Sequence, residues 1–239
     1  MIGRRSLALA VVLTLPGLAL TAAGAAAQAL PRQSPINVTL TSVRADLPME
    51  PLGVHYGPSD VELGYVGKDG DCDSRDAEET EQATVVPGSA YVTLANVRYD
   101  LVQFHFHTPA EHRFAGFAAP MEMHLVHRDA GGNLLVIGVP LLVGGLSTVD
   151  KVLRTLAPEC GEAVDVGWVD LAALLPLDRS SMRYDGSLTT APFTEGVRWV
   201  LMRERWVSAA TVARFQDMFA DGNARSAQPL NGRRVSINW

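Results

Sequence analysis

The segment Gln103–His107, Gln-Phe-His-Phe-His, constrains the fold of this chain most, because histidine and phenylalanine alternate along it. Successive side chains of a strand point to opposite faces of its sheet. We therefore expect His105 and His107 on one face of a strand, and Phe104 and Phe106 on the other face, towards a core. Two histidines at this spacing are weak evidence for a metal site, since the pattern also occurs at surfaces and in cores.

A third histidine, His124, lies in a second strand-like segment, Met121–His127. Three neutral imidazoles can hold zinc and leave a fourth position open, as a catalytic zinc site requires. A metal-bound imidazole also needs an acceptor for its other ring nitrogen. Gln103 and Glu122 each precede a candidate ligand by two residues, so each is expected on the same strand face, where it could hold that ligand from behind.

The remaining sequence predicts mainly strands, separated by clusters of Gly, Pro, Asn and Asp. The predicted strands are Ile36–Leu40, Leu52–Tyr56, Val61–Val66, Tyr91–Leu94, Leu101–Phe106, Met121–His127, Leu134–Val143 and Val197–Met202. Helical patterns are fewer: Val149–Leu156 capped by Ser147, a short turn at Asp170–Leu174, and Ala209–Phe219 capped by Ser208. Because no repeat or long linker divides the chain, a single, mainly β domain is expected.

The first 27 residues have the pattern of an export signal. Two arginines near the start precede the apolar run Leu7–Leu20, and the small residues Ala25–Ala27 precede the predicted cleavage point. A membrane anchor is the alternative, because the apolar and small residues form a long run. The Ala- and Gly-rich end favours a cleaved signal over residues 1–27, with the mature domain at 28–239, exported to the periplasm or the medium.

The chain has 20 basic against 26 acidic residues and no basic stripe, which argues against a nucleic-acid partner. Cleavage of the signal would leave 18 basic against 26 acidic residues, a net charge of −8, and no stable membrane insertion is expected.

Two cysteines in an exported chain, Cys72 and Cys160, favour one disulfide over two free thiols. The segment Asp69–Glu81 carries seven acids and lacks the glycine of a calcium loop, so a solvated acidic loop is expected.

Taken together, the motifs resemble those of the α-class carbonic anhydrases, in the exported bacterial form. They follow the order of that family along nearly the whole mature chain. The matching segments are Gln33–Asn37, Gln103–His107, Thr108–His112, Met121–His127, Gly186–Thr190 and Asn231–Arg233. The resemblance implies one domain built on a large, twisted, mostly antiparallel central sheet with a few short peripheral helices.

The resemblance also implies a role for each matching residue. His105, His107 and His124 match the zinc ligands, with Gln103 and Glu122 behind them. Thr189 matches the residue that accepts a hydrogen bond from zinc hydroxide, and Glu111 matches the carboxylate that orients this threonine, while His112 matches a buried structural histidine. The residues that match the substrate pocket are Val126, Val136, Leu188, Thr190, Val197 and Trp199.

The function implied by the resemblance is the reversible hydration of carbon dioxide to bicarbonate and a proton, by attack of hydroxide bound to Zn²⁺. A catalytically silent zinc-binding module and another zinc hydrolase, such as an esterase, are the alternatives. The family's proton-shuttle histidine has no counterpart here, since Lys68 or Ser89 occupies that position. We therefore expect proton transfer to limit turnover and small buffers to assist it. The sequence leaves the oligomeric state open.

Overall fold

Strands dominate the computed structural model of this protein, which describes residues 30–45, 49–67 and 78–238. The predicted signal peptide, Lys68 and Cys72 lie outside the described residues. The chain from Pro31 onward forms one compact unit, to which all the elements below belong. Among the described residues, no helix is long and apolar enough to cross a membrane.

The elements are short at the beginning of the chain and longest around the histidine motifs. In chain order the strands are β1 (Asn37–Val38), β2 (Val43–Arg44), β3 (Leu52–Tyr56), β4 (Pro58–Val66), β5 (Thr80–Val85), β6 (Ala90–Leu94), β7 (Val97–His107), β8 (Arg113–Phe114), β9 (Met121–Arg128), β10 (Leu134–Val143), β11 (Val164–Asp170), β12 (Ser181–Ser187), β13 (Glu195–Met202), β14 (Arg205–Val207) and β15 (Val235–Asn238). The helices are α1 (Thr148–Val152) and α2 (Ala209–Met218), with a 3-10 turn at Leu171–Leu174.

One large, twisted, mixed sheet contains most of these strands, in the order β11-β4-β5-β7-β9-β10-β13-β12-β15-β2. On its flank, β6 pairs with both β7 and β3, and β14 pairs with β10. Within this sheet, β10 pairs in parallel with β13 and β14, and β15 with β2, while the other described pairs are antiparallel. A separate parallel pair joins β1 and β8. The mainly β, mostly antiparallel fold predicted from the sequence is therefore confirmed.

The alternation of histidine and phenylalanine in β7 separates a core from a polar site, as predicted. Phe104 and Phe106 are fully buried, in a large apolar cluster that also contains Phe215 of α2 and Val149 of α1. A second, smaller cluster lies on the histidine side and includes Trp199. The sheet thus has one face buried under the helices and another that carries the site.

The predicted helix caps are confirmed, and the short turn ends at Leu174 as predicted, but the ends predicted for the two longer helices are wrong. Ser147 caps α1, and Asp150 completes a capping box by accepting a hydrogen bond from the Ser147 amide. Helix α1 ends at Val152 rather than at residue 156, because Leu153 leaves the helical conformation and enters the core. Ser208 caps α2, which ends one residue before the predicted Phe219.

The expectation of a solvated acidic loop over Asp69–Glu81 is wrong at its carboxyl end. Thr80 begins β5 in the middle of the large sheet, and the side chains of Glu79 and Glu81 are fully buried. Their alternation with Thr80 puts both carboxylates on the core-facing side of the strand. The predicted strand Ile36–Leu40 is also shorter than expected and comprises only β1.

Candidate metal centre and catalytic cavity

The register of three adjacent strands brings the predicted ligands together. In the antiparallel pair β7 and β9, His105 lies opposite His124, and His107 lies opposite Glu122. On the other side of His124 the sheet continues with Gly138 of β10. A Cβ atom at this glycine would lie only 2.9 Å from Oε1 of Glu122, so the close packing behind His124 requires glycine.

Each of the three imidazoles donates a hydrogen bond from one ring nitrogen to an oxygen acceptor. Nδ1 of His105 donates to Oε1 of Gln103 at 2.9 Å, and Nε2 of His124 donates to Oε1 of Glu122 at 3.0 Å. Nδ1 of His107 donates to the backbone oxygen of Asn223 at 2.9 Å. In each ring, these hydrogen bonds direct the opposite nitrogen to the metal-binding role.

The three rings converge on one point. Their centroids lie 5.0 Å apart for His105 and His107, 5.2 Å for His105 and His124, and 4.7 Å for His107 and His124. One ligand atom from each ring lies within 4.8 Å of the others. Nε2 of His107 is buried and has no hydrogen-bond partner among the described residues. This donor set fits a tetrahedral metal ion with one open position.

Burial keeps the candidate ligands in the form that binds metal. It lowers the pKa of His107 and of His124, so both imidazoles are neutral at neutral pH. Burial alone would raise the pKa of Glu122, but His112 and His124 outweigh it and hold that pKa well below its usual range. Neutral imidazole is the state in which histidine binds zinc, so no proton has to be displaced.

Glu111 lies between two of the candidate ligands. Its Oε1 accepts a hydrogen bond from the Arg225 amide at 2.8 Å. Its Oε2 is buried without a hydrogen-bond partner, 3.7 Å from Nε2 of His107 and 3.8 Å from Nδ1 of His124. Burial raises the pKa of Glu111 to about 7, opposed by His124, the Arg225 amide and the Thr189 hydroxyl. Thr189 is thus near the carboxylate, although it does not complete a hydrogen bond to Oε2.

His112 forms a second cluster with Glu122 and His124, but its nitrogens are already in use. Nδ1 of His112 lies 2.7 Å from Oε1 of Glu122, and Nε2 lies 2.7 Å from the Tyr184 hydroxyl. The His112 amide also donates to Oε2 of Glu122 at 2.8 Å. These contacts agree with the structural role expected for His112 and make Glu122 an anchor for two histidines.

The candidate ligands lie in a cavity of about 220 Å³. Its apolar lining residues are Val66, Val126, Leu134, Val136, Leu188 and Trp199, and its other lining residues besides the three histidines are Glu78, Thr80, Gln82, Gln103, Arg128, Thr189 and Thr190. Val197 is buried in the same apolar cluster but is not among the lining residues, and neither is Ser89. A larger, apolar cavity of about 350 Å³ beside Phe117 contains none of the predicted site residues.

Comparison with known proteins connects this geometry to a family. The model of the eukaryotic-type carbonic anhydrase family matches residues 23–239. The chain belongs to this family of α-class carbonic anhydrases. A carbonic anhydrase of Klebsiella pneumoniae is 38% identical over 207 residues, which cover 85% of this chain and 78% of the relative. A carbonic anhydrase of a Nostoc strain is 33% identical over 210 residues, 85% of this chain and 75% of the relative.

The fold agrees with that of solved carbonic anhydrases. The α-carbonic anhydrase of Thermovibrio ammonificans, solved with the inhibitor sulfanilamide, superposes with a TM-score of 0.75 at 34% identity, over 86% of each chain. The enzyme of Photobacterium profundum superposes with a TM-score of 0.74 at 33% identity, over 86% of this chain and 88% of that one. This protein is therefore a carbonic anhydrase in sequence and in architecture.

Two residues of this carbonic anhydrase site were not predicted from the sequence. The backbone oxygen of Asn223 holds His107 from 116 residues away, and the amide of Arg225 holds Glu111 from 114 residues away. The Asn223 side chain fixes this loop by donating to the backbone oxygens of Glu79 and Phe106 and accepting from the Thr108 amide. Backbone donors and acceptors carry no residue signature, so no local pattern could have indicated them.

Proposed function

We propose that this carbonic anhydrase is an exported, zinc-dependent enzyme that reversibly hydrates carbon dioxide to bicarbonate and a proton. One observation carries the proposal. Three buried or half-buried imidazoles each engage an acceptor through one ring nitrogen and bring their other nitrogens together, beside the unsatisfied Oε2 of Glu111. Buried polar atoms normally have a hydrogen-bond partner, so the buried Nε2 of His107, which lacks one among the described residues, favours a ligand site over a purely structural cluster.

Zn²⁺ is the metal that this donor set suits best, since three histidine nitrogens with an open fourth position are typical of catalytic zinc. His105 and His107 would bind it through Nε2, and His124 through Nδ1. When bound, zinc acts as a Lewis acid and lowers the pKa of a coordinated water to about 7, a value established on carbonic anhydrases themselves. Gln103, Glu122 and the Asn223 carbonyl hold the three rings in the required orientation.

Thr189 and Glu111 are proposed to orient the reacting water. A hydroxyl donates one hydrogen bond, so a Thr189 hydroxyl that donates to ionised Glu111 has only acceptor capacity left for the reacting water. Glu111 is held for this task by the Arg225 amide. Its pKa of about 7 applies to the protein without metal, and a nearby dication lowers the pKa of a carboxyl group. The carboxylate then stays ionised through the reaction.

The apolar side of the cavity is proposed to hold carbon dioxide. Val126, Val136, Leu188 and Trp199 line it and offer no competing ligand to a metal. Val126 and Val136 lie opposite each other on β9 and β10, so the wall is built from directly paired strands. Such a surface accepts a small apolar molecule and excludes ordered water from one side of the site.

Export and the disulfide are proposed together, because a disulfide requires an oxidising compartment. Cys72 lies outside the described residues, so the Cys72–Cys160 bridge stays a prediction. The mass of the secreted protein tests both points. We expect a chain that begins at residue 28 and gains two hydrogens on reduction; a mass that does not change on reduction would contradict the bridge.

The alternative is a silent zinc-binding module with the same fold. The deciding experiment is an assay of carbon dioxide hydration on the purified mature protein, with the zinc content measured on the same sample. We expect one zinc per chain and turnover that disappears on chelation and returns with zinc. Stoichiometric zinc without turnover would favour the silent module, and a much stronger preference for esters than for carbon dioxide would favour a zinc esterase.

A further inference from the structure

Arg128 places a cation in the lining of the catalytic cavity. It is the last residue of β9, on the same strand face as His124 and Val126, because side chains of a strand alternate between faces. At about 3.3 Å per residue, its Cα lies about 13 Å along the strand from that of His124. The position is thus at the outer end of the apolar wall, next to Leu134 of β10.

The carboxylate opposite Arg128 is committed to another arginine. In the register of β7 and β9, Asp100 lies directly opposite Arg128. Oδ1 of Asp100, however, accepts two hydrogen bonds from Arg98, at 3.0 Å from Nε and 2.6 Å from Nη2. The Arg98 guanidinium is in turn held 3.7 Å above the ring of Tyr91. Arg98 therefore pairs with Asp100, the acid that lies directly opposite Arg128.

No other charge within the described residues compensates Arg128. Its side chain forms no hydrogen bond or ion pair with any described residue. The other charged residue in the lining is Glu78, which precedes β5 and so lies beyond His107 in the antiparallel register, at the opposite end from Arg128. The Glu78 carboxylate also accepts a hydrogen bond from the Ala191 amide. The cavity therefore has a positive end formed by Arg128.

We propose that Arg128 is an anion-recognition residue of this cavity. It favours bicarbonate and other ligands that carry a carboxylate, with any apolar part of the ligand packed against Val126 and its apolar neighbours. The inference rests on the proposed function and names the residue that would bind the anionic partner of that reaction. A unit charge about 10 Å away, in a cavity partly filled with water, changes the affinity of an anion by about two- to fivefold. Salt should weaken the effect, because the Debye length falls from about 30 Å at 0.01 M to about 8 Å at 0.15 M.

Benzoate and benzamide form a matched pair of probes, with the same shape but different charge. Their dissociation constants are measured at low salt by the fluorescence of Trp199 and the other tryptophans, or by calorimetry, on zinc-loaded protein. The decisive quantity is the affinity ratio of benzoate to benzamide. We expect Arg128→Gln to lower this ratio about two- to fivefold relative to the wild type. The affinity for benzamide should change little.

Two further variants separate a local effect from a change in net charge. Arg154→Gln removes the same charge from an exposed residue outside the lining and should leave the ratio unchanged. Arg98→Gln should lower the ratio, because it releases Asp100 to pair with Arg128. An unchanged ratio in Arg128→Gln, or an equal fall in Arg154→Gln, would overturn the proposal. Zinc content and hydration activity of the wild type test the proposed function separately, since the ratio can be measured on inactive protein.

Discussion

At the scale of single residues, metal ligands and orienting residues can be separated by zinc content. We predict that His107→Ala loses zinc and activity together, because Nε2 of His107 is one of three candidate donors. Thr189→Ala should retain zinc, since no ring depends on Thr189, but should lower kcat/KM about 10- to 100-fold, as is typical when a partner of the metal site is removed. Metal analysis and hydration kinetics on the same samples provide the measurement.

Thr189→Ser is the matched control for this pair. It keeps the hydroxyl at a position that is almost fully buried, so most of the activity should be retained. Loss of zinc in Thr189→Ala to the same extent as in His107→Ala would show that the two residues do not have different roles.

The sequence predicts those residues of the site that lie on one strand at a spacing of two. It does not predict residues that reach the site from a distant part of the chain. The spacing of two predicts the shared face of Gln103, His105 and His107. It does not predict Asn223, whose backbone oxygen holds His107, because that contact depends on the path of a distant loop. Nor does it predict that Glu122 serves two histidines, since His112 reaches it from outside any strand.

At the scale of elements, β5 combines a polar face in the cavity with an acid in the core. Thr80 and Gln82 line the cavity, whereas Glu81, between them, faces the cluster that contains Phe106. Both carboxylate oxygens of Glu81 are buried and lack a hydrogen-bond partner among the described residues. Burial raises the pKa of Glu81 to about 8, opposed by the nearby backbone of Ala157. The folded protein therefore binds a proton at neutral pH that the unfolded chain releases.

We predict that Glu81→Gln makes the protein more stable relative to the wild type as pH rises. The pKa of Glu81 in the folded protein lies above the unfolded value of 4.5. The contribution of protonated Glu81 to the free energy of unfolding is therefore fully present below pH 4.5 and is lost as pH rises to about 8. The slope is at most about 1.4 kcal/mol per pH unit. The free energy of unfolding, measured in denaturant from pH 4 to pH 8.5, should show a gap between variant and wild type that widens with pH.

Glu62→Gln is the control on the neighbouring strand, because Glu62 is exposed on β4. Its gap to the wild type should stay constant over the same pH range. A constant gap for Glu81→Gln as well would mean that Glu81 is ionised in the folded protein.

The strands that the sequence does not predict have polar residues or glycines where a strand pattern needs apolar ones, as β5 does at Glu81. Strand β5 has an acid and a glutamine near its start, β11 contains three Asp and Gly residues in seven positions, and β12 mixes Arg, Asp and Gly with its apolar residues. Pairing with long, apolar neighbours such as β13 stabilises these segments in the sheet. Strand propensity depends strongly on such cross-strand partners, which a single sequence does not reveal. The strands that the sequence does predict are those whose own residues form an apolar run or a clear apolar–polar alternation.

At the scale of the whole molecule, the product proton must leave through a cavity whose lining, among the described residues, has no imidazole besides the three candidate ligands. Of the two residues that stand at the family's shuttle position, Ser89 is not in the lining and Lys68 lies outside the described residues. We therefore predict that turnover in dilute buffer rises severalfold with added imidazole, which exchanges protons near neutral pH.

Sodium sulfate at the same ionic strength should not reproduce this rise, because it does not titrate near neutral pH. Glu78→His provides the complementary test: Glu78 is half-buried in the cavity lining, so an imidazole there could carry the proton from inside the cavity. In that variant, turnover in dilute buffer should rise and the response to imidazole should shrink. Turnover that is independent of imidazole in the wild type would mean that the chain has an efficient relay of its own, and kcat would then be limited by another step.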